Sequence, residues 1–92
     1  LNIIKRYSGR HSMEYATFQS NLAMLHADMG SYDFAKQTLK VSLGILKEAK
    51  LEQHPDYAAA LLNLANIEYK LEKPQEALIL IDQSISIISS QL

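Results

Sequence analysis

Tyr57-Ala58-Ala59-Ala60-Leu61-Leu62-Asn63-Leu64-Ala65 carries the frame of Tyr15-Ala16-Thr17-Phe18-Gln19-Ser20-Asn21-Leu22-Ala23, which lies 42 residues earlier. The same step takes Ala35 to Ala77, Ser42 to Ser84 and Ile45 to Ile87. Run backwards, it takes Leu43-Gly44-Ile45-Leu46-Lys47 to Leu1-Asn2-Ile3-Ile4-Lys5. A fixed period in the range of roughly 20–50 residues marks a stacked array of like units. Such arrays usually present a surface and seldom house a reaction.

Working outward, the segments between the matched residues read as helices. Gly and Pro are scarce and fall at the edges of periodic stretches. Residues 1–7 look like the tail of a helix, broken at Ser8-Gly9-Arg10. A second segment starts near Ser12, a plausible cap with Glu14 in the first turn. Its apolar face is Tyr15, Phe18, Leu22, Leu25 and Met29, and Gly30 ends it. Ser31 then caps a third segment with Asp33 in its first turn. Phe34, Ala35, Leu39, Ser42, Leu43 and Leu46 line one face of it, and helix propensity holds to about Leu51. Gly44 weakens this helix by about 1 kcal/mol relative to Ala.

His54-Pro55-Asp56 opens the fourth segment, because Pro suits the first helical position and an acid suits the first turn. Ala58, Leu61, Leu62, Ala65 and Tyr69 follow. Glu72-Lys73 form a turn and Pro74 opens a last helix reaching about Ser90, with Ala77, Leu78, Ile81, Ile85 and Ile88 as its inner face. Turns this short force antiparallel neighbours. The expectation is one domain over 1–92: the tail of a preceding unit at 1–9, one unit at 12–52 and a second at 54–91.

Composition narrows the function classes. Apolar residues make up 48% of the 92, enough for a small core. The net charge of -1 gives no electrostatic footprint for nucleic acid or an anionic membrane. There is no cysteine, hence no disulfide framework or thiolate chemistry, which fits a reducing, cytoplasmic setting. The longest apolar run, Ala77-Leu78-Ile79-Leu80-Ile81, falls far short of the roughly 18 residues of a membrane span. The chain begins at Leu1 rather than Met and reads as a piece of a longer protein.

Asn-Leu-Ala, a short turn, and then Tyr32-Asp33-Phe34-Ala35 resemble the tetratricopeptide repeat. Ala23 and Ala65 match the small residue of its first helix. Gly30 matches its turn glycine, Tyr32 the aromatic that follows, and Ala35 and Ala77 the small residue of its second helix. The 42-residue step and the start His54-Pro55-Asp56-Tyr57 resemble the longer form of the repeat, as in kinesin light chains. Departures are Ala27 and Asp28, Pro74 in place of the turn tyrosine, and Ser42 and Ser84 in place of a late alanine. The resemblance implies an all-α superhelix, a right-handed solenoid of antiparallel helical hairpins, with about five helices counting the first remnant. It also implies a non-catalytic scaffold that binds a protein or peptide partner in a concave groove lined by the first helices of successive hairpins.

Carried over residue by residue, the groove positions are Thr17, Ser20, Asn21, Met24 and Asp28 in the first unit. In the second they are Ala59, Leu62, Asn63, Asn66, Tyr69 and Lys70. A carboxamide both donates and accepts, so Asn21, Asn63 and Asn66 suit the two polar groups of a peptide bond. The alternative is that each asparagine satisfies a neighbouring helix or faces water. Some relatives grip a C-terminal carboxylate with paired cations, but Lys70 is the only groove cation here, and Ser20 and Leu62 stand where a clamp lysine would be.

Other chemistry is poorly supported. His54-Pro55-Asp56 is also the signature tripeptide of J-domain co-chaperones, but the basic helix that should precede it is absent. His11, His26 and His54 share no metal-ligand spacing, so no metal or cofactor is expected. His26 reads as a hydrogen-bonded packing residue. Glu48, Glu52 and Asp56 read as a solvated face without a nucleophile beside them. Lys36, Lys40, Lys47 and Lys50 also read as a wet face, and the tyrosines, among them Tyr7, as packing. Leu1, Ile3 and Ile4 want a partner, and the last helix is almost too apolar for one buried stripe. Self-association through Ile79, Leu80 and Ile87, or a purely structural place in a longer array, is the second functional reading.

Overall fold

Three tight turns, each containing a residue with positive φ, cut the chain into four helices: α1 (Gly9–Asp28), α2 (Tyr32–Glu48), α3 (Pro55–Lys70) and α4 (Pro74–Ser90). The structure, a computed structural model, describes residues 9–92. The expected helical tail at 1–7 lies outside them. The left-handed residues are Gly30 (φ 81°), Lys50 (φ 60°) and Glu72 (φ 63°). Each permits a six-to-one hydrogen bond that closes the preceding helix. The donors are the N–H groups of Ser31, Leu51 and Lys73, the acceptors the carbonyls of His26, Leu46 and Glu68, all at 2.9 Å. Gly30 and Glu72 stand 42 residues apart, so the same turn is built once with glycine and once with glutamate. The turn at Lys50 stops α2 at Glu48, short of the expected Leu51. Lys47, Glu48, Ala49 and Lys50 all favour helix, and nothing in their types announces the reversal.

The helix starts follow from caps and proline. His54 caps α3: its Nδ1 accepts the N–H of Asp56 at 3.0 Å, and Pro55 takes the first helical position. Ser31 occupies the N-cap of α2, as expected, but its side chain makes no capping bond. Pro74 opens α4. The chain is already helical at Gly9, the first described residue, so the expected cap at Ser12 is overturned and Ser12 is buried within the helix. Gly9 and Arg10, where the sequence reads as a helix break, are helical.

Small residues, not large ones, decide which faces meet inside a hairpin. In α1 the buried positions are Ser12, Ala16, Ala23 and Ala27. The expected face of Tyr15, Phe18, Leu22, Leu25 and Met29 is not the buried one: Phe18, Leu25 and Met29 are 55–64% exposed. In α2 the inner side is Ala35, Thr38, Leu39, Ser42, Ile45 and Leu46, whereas Phe34 lies outside with its ring stacked on His26 at a centroid distance of 4.4 Å. In α4 it is Ala77, Ser84 and Ile87; Leu80 and Ile81 are half-buried, and Leu78, Ile85 and Ile88 are exposed. That corrects both the inner face expected for α4 and the proposed self-association trio, of which only Ile79 is exposed. Within a hairpin the helices close at alanine and serine, with Ile45 and Leu46 packed on Ala16 in the first and Ile87 on Ala58 and Leu61 in the second.

The two hairpins use matched atoms. Ser42 Oγ donates to the Ala16 carbonyl at 2.8 Å, and Ser84 Oγ donates to the Ala58 carbonyl at 3.0 Å. Ala35 and Ala77 are both buried, as are Ala23 and Ala65, and Ile45 and Ile87. The hairpins join where α2 meets α3. Leu39 shares one cluster with Ala60, Leu64 and Ile67, Leu43 and Leu71 pack against it, and Leu46 shares another with Tyr57. The Lys36 ammonium lies 3.2 Å from a Glu68 carboxylate oxygen. Lys36 thus leaves the wet face on which its spacing placed it. Among the described residues α3 is the helix in extensive contact with all three others, since it also packs on α1 and α4.

Candidate functional site

The first helices of the two hairpins, α1 and α3, lie side by side, and the short turns make them run the same way. Between them is a groove of about 160 Å³. Thr17, Ser20 and Asn21 form one wall, and Asp56, Ala59 and Asn63 the other; Ser42 and Leu46 of α2 form the floor. The fold therefore brings together Asn21 and Asn63, with Ser20 beside them. Among the described residues, the side chains of Asn21, Asn63 and Asn66 make no hydrogen bond within the chain.

Ser20 is different. Its hydroxyl lies 2.9 Å from Ser42 Oγ, and the single proton of Ser42 goes to Ala16. Ser20 is thus the donor of that pair. It is part of the hydroxyl relay pinning α2 to α1. The 42-residue counterpart of Ser20 is Leu62, so the second hairpin has the lower half of this relay only.

A second cleft, of about 490 Å³, opens between α3 and α4. Leu62, Asn66 and Tyr69 line it together with Ala65, Pro74, Ala77, Leu78 and Ile81. Its walls are nearly all apolar, with the Asn66 amide as the polar exception and the Tyr69 ring 67% exposed at its edge. Met24, Asp28 and Lys70 line neither cavity. No Lys or Arg lines either one, so the groove carries no cation for a carboxylate.

The floor residues Ser42, Leu46 and Ala60 and the wall residue Asp56 were not among the sequence-derived site positions. The available signal for Ser42 was its recurrence as Ser84, a hydroxyl at a matched place on an otherwise apolar face. His26 packs by its ring on Phe34, with no side-chain hydrogen bond, which replaces the hydrogen-bonded role expected for it. Burial, and secondarily the Glu52 carboxylate, raises the pKa of Tyr57 above the ordinary tyrosine value. Among the described residues no three metal-ligating side chains cluster, and no helix is long and apolar enough to cross a membrane. A family model described as tetratricopeptide repeat matches residues 14–90. No curated protein and no solved structure matches the chain.

Proposed function

This chain belongs to the tetratricopeptide repeat family, and we propose that its α1/α3 groove holds an extended segment of a partner protein by that segment's backbone. Repeats of this family generally mediate protein–protein interactions and form a non-catalytic scaffold. The observation that carries the finer reading is the pair of asparagines, Asn21 and Asn63, one repeat apart on facing walls with uncommitted amides. Each amide offers a donor and an acceptor, the complement of one peptide unit. Because the match is to backbone, the groove sets the path of the ligand, and sequence preference comes from elsewhere. The apolar cleft beside Asn66 supplies it: one large apolar side chain of the ligand fits there, with Tyr69 closing over it.

The test uses peptides selected from a random displayed library on the 92-residue chain. Asn21→Ala with Asn63→Ala weakens the selected peptides about tenfold or more, the equivalent of about 1.4 kcal/mol, while the melting temperature stays within a degree or two. Equal losses of binding and of melting temperature would assign these side chains to the fold instead. Peptides that lack any large apolar residue would argue against the cleft as an anchor. A second reading, a structural place within a longer stack, is favoured by the exposed apolar residues of α4.

A further inference from the structure

The proton of the Ser20 hydroxyl is already engaged, and that fixes what the α1/α3 groove can read beside it. Ser42 Oγ, fully buried, gives its one proton to the Ala16 carbonyl at 2.8 Å, so the 2.9 Å contact between the two serines is made with the Ser20 proton. Ser20 nevertheless lines the groove. A hydroxyl has one donor and two acceptor positions; with the donor used, Ser20 faces the groove with lone pairs alone. Asn21 beside it and Asn63 on the facing wall are the opposite case. An amide that turns over exchanges its oxygen for its nitrogen, so either asparagine can grip the N–H or the C=O of a peptide unit and neither can choose between them.

A ligand carbonyl set against Ser20 would meet lone pair with lone pair and leave both oxygens without a hydrogen; an N–H in the same place would be paired. The 42-residue counterpart of Ser20 is Leu62, so the second hairpin offers no group of the same kind at the matched place. Resting on the backbone hold proposed above, we propose that Ser20 sets the register of the bound segment: it accepts one backbone N–H and refuses a carbonyl there. Ser42 is the positioning residue behind it, because it takes up the Ser20 proton and so decides what that hydroxyl can do. The asparagines hold the segment, and the two serines select which half of a peptide unit stands between the walls.

The probe is a peptide selected from a random displayed library on the 92-residue chain. It is remade with one backbone amide at a time replaced by an ester, which puts an oxygen where the N–H was. At one position the ester should weaken binding to the unmodified chain about tenfold, through one lost hydrogen bond and one unpaired acceptor. In Ser20→Ala that penalty should shrink to about twofold or less, because no lone pair is left to satisfy. In Ser42→Ala it should shrink as well, because the released Ser20 proton can be donated to the ester oxygen. Ser20→Thr keeps the hydroxyl and should keep the penalty. Ester penalties that are the same in the unmodified chain and in Ser20→Ala would overturn the inference. So would a penalty relieved by Ser20→Ala and left whole by Ser42→Ala of unchanged helical circular dichroism. Should Ser42→Ala lose helicity, the contrast between Ser20→Ala and Ser20→Thr decides. If Asn21→Ala with Asn63→Ala weakens the peptide while the ester penalties ignore Ser20, the backbone hold stands and the register reading alone falls. If those asparagine variants leave binding intact, both fall.

Discussion

Gly30 and Glu72 do the same work with unequal ease. Both hold a positive φ at the matched turn of a hairpin, and only glycine does so without crowding its Cβ against its own backbone. No atom stands within 4 Å of where a Cβ would sit at Gly30, so neighbours play no part in its preference. Gly30→Ala should therefore cost about 1 kcal/mol through backbone strain alone, and Glu72→Gly should return a similar amount in the other hairpin. Chemical denaturation of both variants checks the pair; a loss on Glu72→Gly would mean that its side chain holds the turn. Gly30 was legible in the sequence because glycine advertises this conformation. Lys50 and Glu72 were not, since lysine and glutamate are good helix formers and the reversal is imposed by the packing of helices on either side.

At the scale of the element, helix positions were legible and helix faces were not. Pro55, Pro74 and the capping His54 marked starts through local chemistry, which needs no tertiary knowledge. The inner faces of α1 and α4 were misread because bulky apolar residues dominate a hydrophobic pattern, whereas the hairpin contact is made where Ala16, Ala23 and Ser42 allow close approach. Ser42 and Ser84 look like departures from alanine in sequence, yet each sends its hydroxyl to a main-chain carbonyl of the opposing helix. Ser42→Ala and Ser84→Ala should each cost about 1 kcal/mol, the usual net worth of such a bond. Ser42→Ala should cost more, because it also strands the Ser20 hydroxyl, which the second hairpin lacks. Thermal unfolding of the two variants side by side measures the difference; equal or negligible losses would mean that the hydroxyls are merely accommodated.

The whole molecule is the part most fully written in the sequence: the 42-residue step alone specifies two like hairpins in register. What the step does not specify is which pairs differ between units. Lys36 and Glu68 form a charged bridge between the hairpins, with Glu68 Oε1 buried and unpartnered, and neither residue signals this by its helical spacing. The amides of Asn21 and Asn63 were placed by resemblance to the family, and their nearness across one groove comes from the packing of α1 on α3. That packing has a kinetic corollary. Among the described residues α1 packs chiefly on α2 and α4 chiefly on α3, so each can open while the rest holds, whereas α3 touches all three other helices. Freeing it takes both the loss of α4 and the parting of the two hairpins. Its backbone amides should trade their protons for deuterium last, at the rate of global unfolding, with α1 and α4 leading. Uniform exchange across all four helices would mean that the ends do not come apart before the middle.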